Sequence, residues 1–185
     1  MRKIRSHTGN YLYLLHARQY LPSHTQDILQ PSVSVSYRSP FMVGIAEVEI
    51  DKETGVVEPI DYAAVVDCGT VVNPNLARVQ TEGGIAQGIG MALYEDIIYS
   101  EKGKNYSNSF MQYKIPSRLD VGEIRVEFES SYEPTGPFGA KSIGEIVINT
   151  PSPAISNAVQ NAVGVIVREL PITAEKVYKG MAEKE

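Results

Sequence analysis

Between Phe41 and Ile50 the residues Ala46, Val48 and Ile50 alternate with Glu47 and Glu49. This two-residue period predicts a strand with one buried face. Asp51-Lys-Glu-Thr-Gly55 has the composition of a turn, and Val56 to Val66 is a second run rich in β-branched residues, ending at Asp67-Cys-Gly69. Strand, five-residue turn and strand predict a hairpin. The period then changes. Asn73-Pro-Asn75 punctuates the chain, and Asn75 is placed to cap a helix. Leu76, Val79, Ala86, Ile89, Leu93 and Ile97 recur at helical spacing and predict one apolar helix face running to about Ile98. Gly83, Gly84, Gly88 and Gly90 lie inside this helix, where each costs about 1 kcal/mol against alanine. Such glycines are kept where backbone must approach another element or a ligand closely.

Lys102-Gly-Lys104 predicts a turn, and Ile124, Val126 and Phe128 alternate with Arg125, Glu127 and Glu129 as in a half-buried strand. Ser152 and Pro153 have the chemistry of a helix start, followed by an apolar stripe through Ala154, Ile155, Ala158, Val159, Ala162, Val163 and Ile166. Thr173 is placed to cap a last short helix over Ala174 to Met181. The elements mix strands and helices, which predicts an α+β fold. Residues 1–40 give the weakest pattern: Tyr11 to Leu15 is apolar, and Pro22, Pro31 and Pro40 interrupt the chain between there and Phe41. The division expected is a segment 1–40 and a structured unit 41–185.

Composition narrows the function classes. At 185 residues, 43% hydrophobic and 21% charged, the chain has the make-up of a globular protein. No stretch reaches the roughly 18–20 apolar residues of a membrane helix. The basic start Met1-Arg-Lys leads into an apolar run too short for a signal peptide, so the cytoplasm is the expected location. The net charge of −5, without a lysine or arginine cluster and without tryptophan, argues against a nucleic-acid surface. The single cysteine, Cys68, excludes an intrachain disulfide and an ordinary iron–sulfur cluster on this chain. His7, His16 and His24 are spaced unlike zinc ligands.

The stretch Gly136-Pro-Phe-Gly-Ala-Lys-Ser-Ile-Gly-Glu145 admits three readings. As a phosphate loop it lacks the second glycine, because Ala140 precedes Lys141-Ser142, and the adjoining Ile146-Val-Ile-Asn-Thr-Pro151 predicts no helix to offer its amides. Gly88-Ile-Gly90 likewise fails as a dinucleotide fingerprint, since Leu93 stands at the third small position. As a structural turn the stretch is commonplace. As a functional loop, its glycines free the backbone around Lys141 and deliver Glu145 to the start of an apolar run. A carboxylate held there, at the edge of the interior, suits a general base.

GPFGAKSIGE resembles the loop carrying the active-site glutamate in the large subunits of the molybdenum hydroxylases, the xanthine dehydrogenase and aldehyde oxidoreductase family. Further blocks occur in the family's order: Ala46 to Gly55, Val66-Asp-Cys-Gly-Thr-Val-Val-Asn-Pro74, Gln80-Thr-Glu-Gly-Gly-Ile-Ala-Gln-Gly-Ile-Gly90 and Tyr113-Lys-Ile-Pro116. The helix from Ser152 and Leu170-Pro-Ile-Thr-Ala-Glu-Lys-Val177 look like the family's C-terminus. The resemblance covers about residues 40–180, leaves 1–40 poorly matched, and implies the C-terminal subdomain of a molybdopterin-binding domain.

That resemblance implies a role for each matching residue. Glu145 matches the base that activates the attacking oxygen, and Gln80 matches a pterin contact. Gly83 and Gly84 would let backbone approach the cofactor. Lys141, Ser142, Ile143 and Gly144 would line the metal pocket, largely through backbone amides. Asp67 and Asn73 organise the turn before the helix. Val79 departs from the family, which often has glycine before the glutamine. The implied cofactor is molybdopterin, in its cytosine dinucleotide form, with molybdenum; no side chain here is expected to ligate the metal directly. Iron–sulfur clusters and FAD would reside in partner chains.

Family large subunits are several times longer, so the implied partners are other subunits or the missing N-terminal part, with a small molecule as substrate. Oxidation of an N-heterocycle such as xanthine is the expected activity. Aldehydes and carbon monoxide are alternative substrates. A cofactor-free assembly module that docks on other subunits or self-associates is the alternative of a different class.

Overall fold

The computed structural model describes the backbone of residues 3–7 and residues 39–183 in full. The apolar run Tyr11 to Leu15, the prolines Pro22 and Pro31, and His16 and His24 lie outside the described residues, as does the side chain of His7. Four strands form one sheet in the order β1 (Lys3–His7), β2 (Phe41–Asp51), β3 (Val57–Asp67) and β4 (Glu123–Phe128). β1 pairs antiparallel with β2, opposing Lys3 to Asp51, so the first residues of the chain supply an edge strand that their pattern did not predict.

The predicted hairpin is present. β2 and β3 pair antiparallel, with Val43 opposite Val65 and a register shift at Glu47/Val48. Gly55 closes its turn at φ +77°, where its amide donates to the Asp51 carbonyl at 2.7 Å. The inward alternation holds: Met42, Ala46, Val48 and Ile50 of β2 are buried, as are Tyr62, Ala64 and Val66 of β3 and Val126 of β4. β4 runs parallel to β3, which requires the long crossover that the chain makes through helix α1 (Pro74–Leu93) and the loop after it.

Helices α1, α2 (Ile146–Asn149), α3 (Pro151–Val163) and α4 (Ala174–Ala182) complete the fold. Ile85 and Ile89 of α1, Val147 of α2 and Ile155, Ala158 and Val159 of α3 join the buried strand residues in one core. The mixed α+β expectation stands. Among the described residues no helix is long and apolar enough to cross a membrane.

Helix α1 differs from expectation at both ends and in the face it buries. Asn73, not Asn75, caps it: the Asn73 Oδ1 accepts from the Leu76 amide at 3.1 Å. The helix ends at Leu93 rather than Ile98, and Ile97 is exposed. Its buried face is rotated from the predicted stripe. Leu76 and Val79 are each 67% exposed, while Thr81, Gly84, Ile85, Gly88, Ile89, Ala92 and Leu93 are buried. The reason is that two of the glycines make the contact. An added Cβ at Gly84 would stand 2.1 Å from Val147 Cγ2, and one at Gly88 would stand 2.7 Å from Pro151 Cγ.

Residues 146–150 also depart from the expected pattern. Ile146–Asn149 is a helical turn leading into α3, which begins at Pro151 rather than at Ser152. Thr150 occupies the cap position without capping, because its hydroxyl accepts a 2.8 Å hydrogen bond from buried Tyr62 Oη. At the other end of α3, Gly164 terminates the helix in the left-handed region at φ 72°, so Ile166 lies beyond it and is exposed. Thr173 caps α4 as predicted, accepting from the Lys176 amide.

Candidate functional site

The GPFGAKSIGE loop is held against the turn after β3. Gly69 and Ala140 form an antiparallel bridge. The Thr70 amide donates to the Gly139 carbonyl at 2.9 Å, and the Lys141 amide donates to the Cys68 carbonyl at 2.7 Å. Gly69 and Gly139 have φ of +71° and +82°, and an added Cβ at Gly69 would stand 2.4 Å from the Gly139 carbonyl oxygen. This close backbone approach is what the glycines permit. Phe138 also has positive φ, 55°, and is 85% exposed.

Side chains reinforce the strap. Lys141 Nζ lies 2.6 Å from Asp67 Oδ2 and 5.4 Å from the centre of the Phe41 ring. Asp67 Oδ1 accepts from the Gly69 amide at 3.0 Å and from Ser131 Oγ at 2.6 Å. Burial pushes the Asp67 carboxyl up, but hydrogen bonds from Lys141, Ser131 and the Gly69 amide outweigh it and hold the group below the usual carboxylate range. The Cys68 thiol is pushed up, chiefly by burial. The lysine charge is therefore neutralised inside the fold.

Downstream of Lys141 the amides of Ser142, Ile143 and Gly144 make no hydrogen bond among the described residues. The Gly144 carbonyl accepts from Gln80 Nε2 at 3.2 Å, which ties the loop to α1. Beside this contact is a cleft of about 440 Å³ lined by Gln80, Gly83, Gly84, Gln87, Gly144 and Glu145, with Val79 and Ile148 completing it. A second cleft of about 500 Å³ shares Val79 and Gln80 and includes Lys141 and Ile143.

Tertiary structure thus collects most of the predicted set. Gln80, Gly83, Gly84, Gly144 and Glu145 line one cleft; Lys141 and Ile143 line the neighbouring one; Ser142 is exposed and lines neither. The two glycines of α1 differ. An added Cβ at Gly83 would meet nothing within 4 Å and would project into open space, as would one at Gly144, whereas Gly84 is packed on Val147. Glu145 is exposed on the cleft's rim instead of sitting at the edge of the interior, because the buried residues of α2 are Ile146 and Val147. Gln87 belongs to the site and was not singled out in the sequence; its signal is its place seven residues after Gln80, on the same helix face.

These features fit a pterin cofactor. Amide side chains, the Gly144 amide, which makes no hydrogen bond among the described residues, and two glycines that leave the wall open offer neutral hydrogen bonding and close approach. Among the described residues no three histidine, cysteine or carboxylate side chains are grouped to hold a metal ion.

Comparison with known proteins agrees with this fit. Residues 14–122 match the molybdopterin cofactor-binding domain. The chain is 34% identical over 160 residues to the 6-hydroxypseudooxynicotine dehydrogenase complex subunit gamma of Paenarthrobacter nicotinovorans, covering 85% of this chain and 20% of that protein. It is 36% identical over 153 residues to the "Probable hypoxanthine oxidase XdhD" of Escherichia coli K12, covering 80% and 16%. The crystal structure of quinoline 2-oxidoreductase from Pseudomonas putida 86 superposes with a TM-score of 0.74 at 36% identity, over 78% of this chain and 19% of that one. The chain therefore spans about a fifth or less of the length of the proteins it matches. By fold, site and sequence together, it belongs to the molybdopterin cofactor-binding domain family of the xanthine dehydrogenase-like molybdenum hydroxylases.

Proposed function

We propose that this chain forms the base-bearing wall of a molybdenum hydroxylase site that oxidises a nitrogen heterocycle such as xanthine. The observation that carries the reading is the meeting of Glu145 with Gln80, Gly83 and Gly144 around one cleft. When bound, the molybdenum cofactor, in its cytosine dinucleotide form, accepts the two electrons of the oxidation. Glu145 takes the proton of the attacking, water-derived oxygen. Gln80 holds the loop through Gly144 and presents the rest of its amide to the pterin. The open walls at Gly83 and Gly144 allow the ring system close approach. Gly144 supplies a backbone donor in this cleft and Ile143 one in the neighbouring cleft.

Relatives named for hypoxanthine and for quinoline support a heterocyclic substrate. The remainder of the pocket, and the iron–sulfur and flavin centres that drain the electrons, belong to further polypeptide in a cytoplasmic assembly. Phe110, Met111 and Leu119, 83%, 79% and 95% exposed on the loop between α1 and β4, support burial against such a partner. The same exposure favours a second reading, a cofactor-free assembly module.

The test is Glu145→Gln in the full-length, metal-loaded assembly. Turnover falls by at least about 100-fold while molybdenum and pterin content stay unchanged. Near-normal turnover removes Glu145 from the base role. Comparison of kcat/KM for xanthine, an aldehyde and carbon monoxide assigns the substrate class. Native material that is a homo-oligomer without pterin or molybdenum favours the assembly module.

A further inference from the structure

Three polar side chains line the 440 Å³ cleft: Gln80, Gln87 and Glu145. Two of them have defined roles. Gln80 donates one amide proton to the Gly144 carbonyl. Glu145, when ionised, only accepts hydrogen bonds. Gln87 is the remaining neutral group. It is exposed, and its amide makes no hydrogen bond among the described residues.

Its placement is specific. Seven residues separate Gln87 from Gln80, close to two helical turns, which sets them about 10 Å apart along the axis and on one face of α1. Gly83 lies between them with nothing within 4 Å of an added Cβ. The helix therefore presents an amide, a bare stretch of backbone and a second amide to the cleft. A glutamine amide offers a donor and an acceptor side by side. This complements a lactam edge, a ring N–H next to a ring carbonyl. That arrangement would let a flat ring lie along the glycine surface with its polar edge at the amide.

We propose that Gln87 is a second ligand-binding amide of this cleft and reads the lactam edge of a planar nitrogen heterocycle. The inference rests on the reading of the cleft given under the proposed function. Two sources share this chemistry: the pterin of the cofactor and an oxidised purine-type substrate.

The experiment uses the full-length assembled protein with Gln87→Leu and Gln87→Glu. Both replacements keep side-chain bulk and helix propensity at an exposed position, so thermal unfolding is expected to stay within about 2 °C of the parent. Pterin per chain is measured by fluorescence after oxidative extraction, and kcat and KM for xanthine are normalised to molybdenum content. If Gln87 meets the pterin, affinity for it falls by about fivefold, the worth of one ordinary hydrogen bond, and pterin per chain falls by nearly as much when cofactor supply is limiting. If it meets the substrate, occupancy is unchanged and KM rises by about fivefold with kcat within about twofold of the parent. Occupancy and KM both within about twofold of the parent in Gln87→Leu overturn the proposal and leave Gln87 a solvated surface residue. The result is separable from the role of Glu145: normal turnover of Glu145→Gln would remove the base assignment and leave the pterin occupancy of the Gln87 variants as measured.

Discussion

The carboxylate of Asp67 and the ammonium of Lys141 meet at 2.6 Å, joining the end of β3 to the loop that carries Glu145. The two side chains are only 19% and 10% exposed. Removing one partner leaves a largely buried charge without its counterion, so Asp67→Asn and Lys141→Met are each expected to destabilise the fold by about 1–3 kcal/mol. Denaturant unfolding of the two single variants and the double variant measures this, and a double variant less destabilised than the sum of the singles confirms the coupling.

The same pair sets a pH dependence. The folded-state Asp67 carboxyl is held below its ordinary value, so the unfolded chain binds its proton first. The stabilisation is complete above the unfolded carboxylate range near about pH 4 and is lost as pH falls through the lower folded value. The stability difference between the parent and Asp67→Asn should be constant from about pH 5 to 7 and shrink on further acidification. Unfolding midpoints measured from about pH 7 down through about pH 4 and below check the sign, and a difference that grows in acid would contradict it.

Adjacent glycines on α1 should respond in opposite ways. Gly84→Ala drives a methyl to 2.1 Å from Val147 Cγ2. Overpacking of this kind costs about 1–3 kcal/mol, more than the roughly 1 kcal/mol regained from helix propensity. Gly83→Ala meets no atom within 4 Å and should raise stability by up to about 1 kcal/mol. Its methyl enters the cleft, so pterin occupancy of the assembled protein should fall. Thermal unfolding and extracted pterin separate the two effects.

The cap of α1 offers a sharper test of local structure. Asn73→Ala removes the acceptor of the Leu76 amide and should cost about 1 kcal/mol, while Asn75→Ala, inside the first turn and exposed, should cost less than about 0.5 kcal/mol. Equal effects in chemical denaturation would contradict the cap assignment.

Strands β2, β3 and β4 were legible because their signal is local. Ala46, Val48 and Ile50 point inward at every second position whatever packs on them, and Gly55 ends a turn that only a left-handed residue closes well. The rotation of α1 was not legible in the same way. Leu76 and Val79 are more apolar than Gly84 and Gly88, yet the glycines are buried, because closeness of backbone to Val147 and Pro151 decided the packing. Hydrophobic periodicity is blind to a contact made by the absence of a side chain. The helical turn at Ile146–Asn149 was hidden for a related reason: its β-branched residues favour a strand locally, and burial of Ile146 and Val147 in the core overrides that preference.

By itself the sequence determined the hairpin, the element types of α1, β4, α3 and α4, the loop bearing Glu145 and, through ordered motifs, the family. Only the tertiary structure decided that Gln80 donates to Gly144, that Lys141 is neutralised by Asp67, and that Gln87 shares the cleft with Glu145. Gln80 and Gly144 are 64 positions apart in the chain, and Asp67 and Lys141 are 74 apart. Local propensity acts over a few residues, whereas the position of a loop against a helix is set by how the sheet and core close around both.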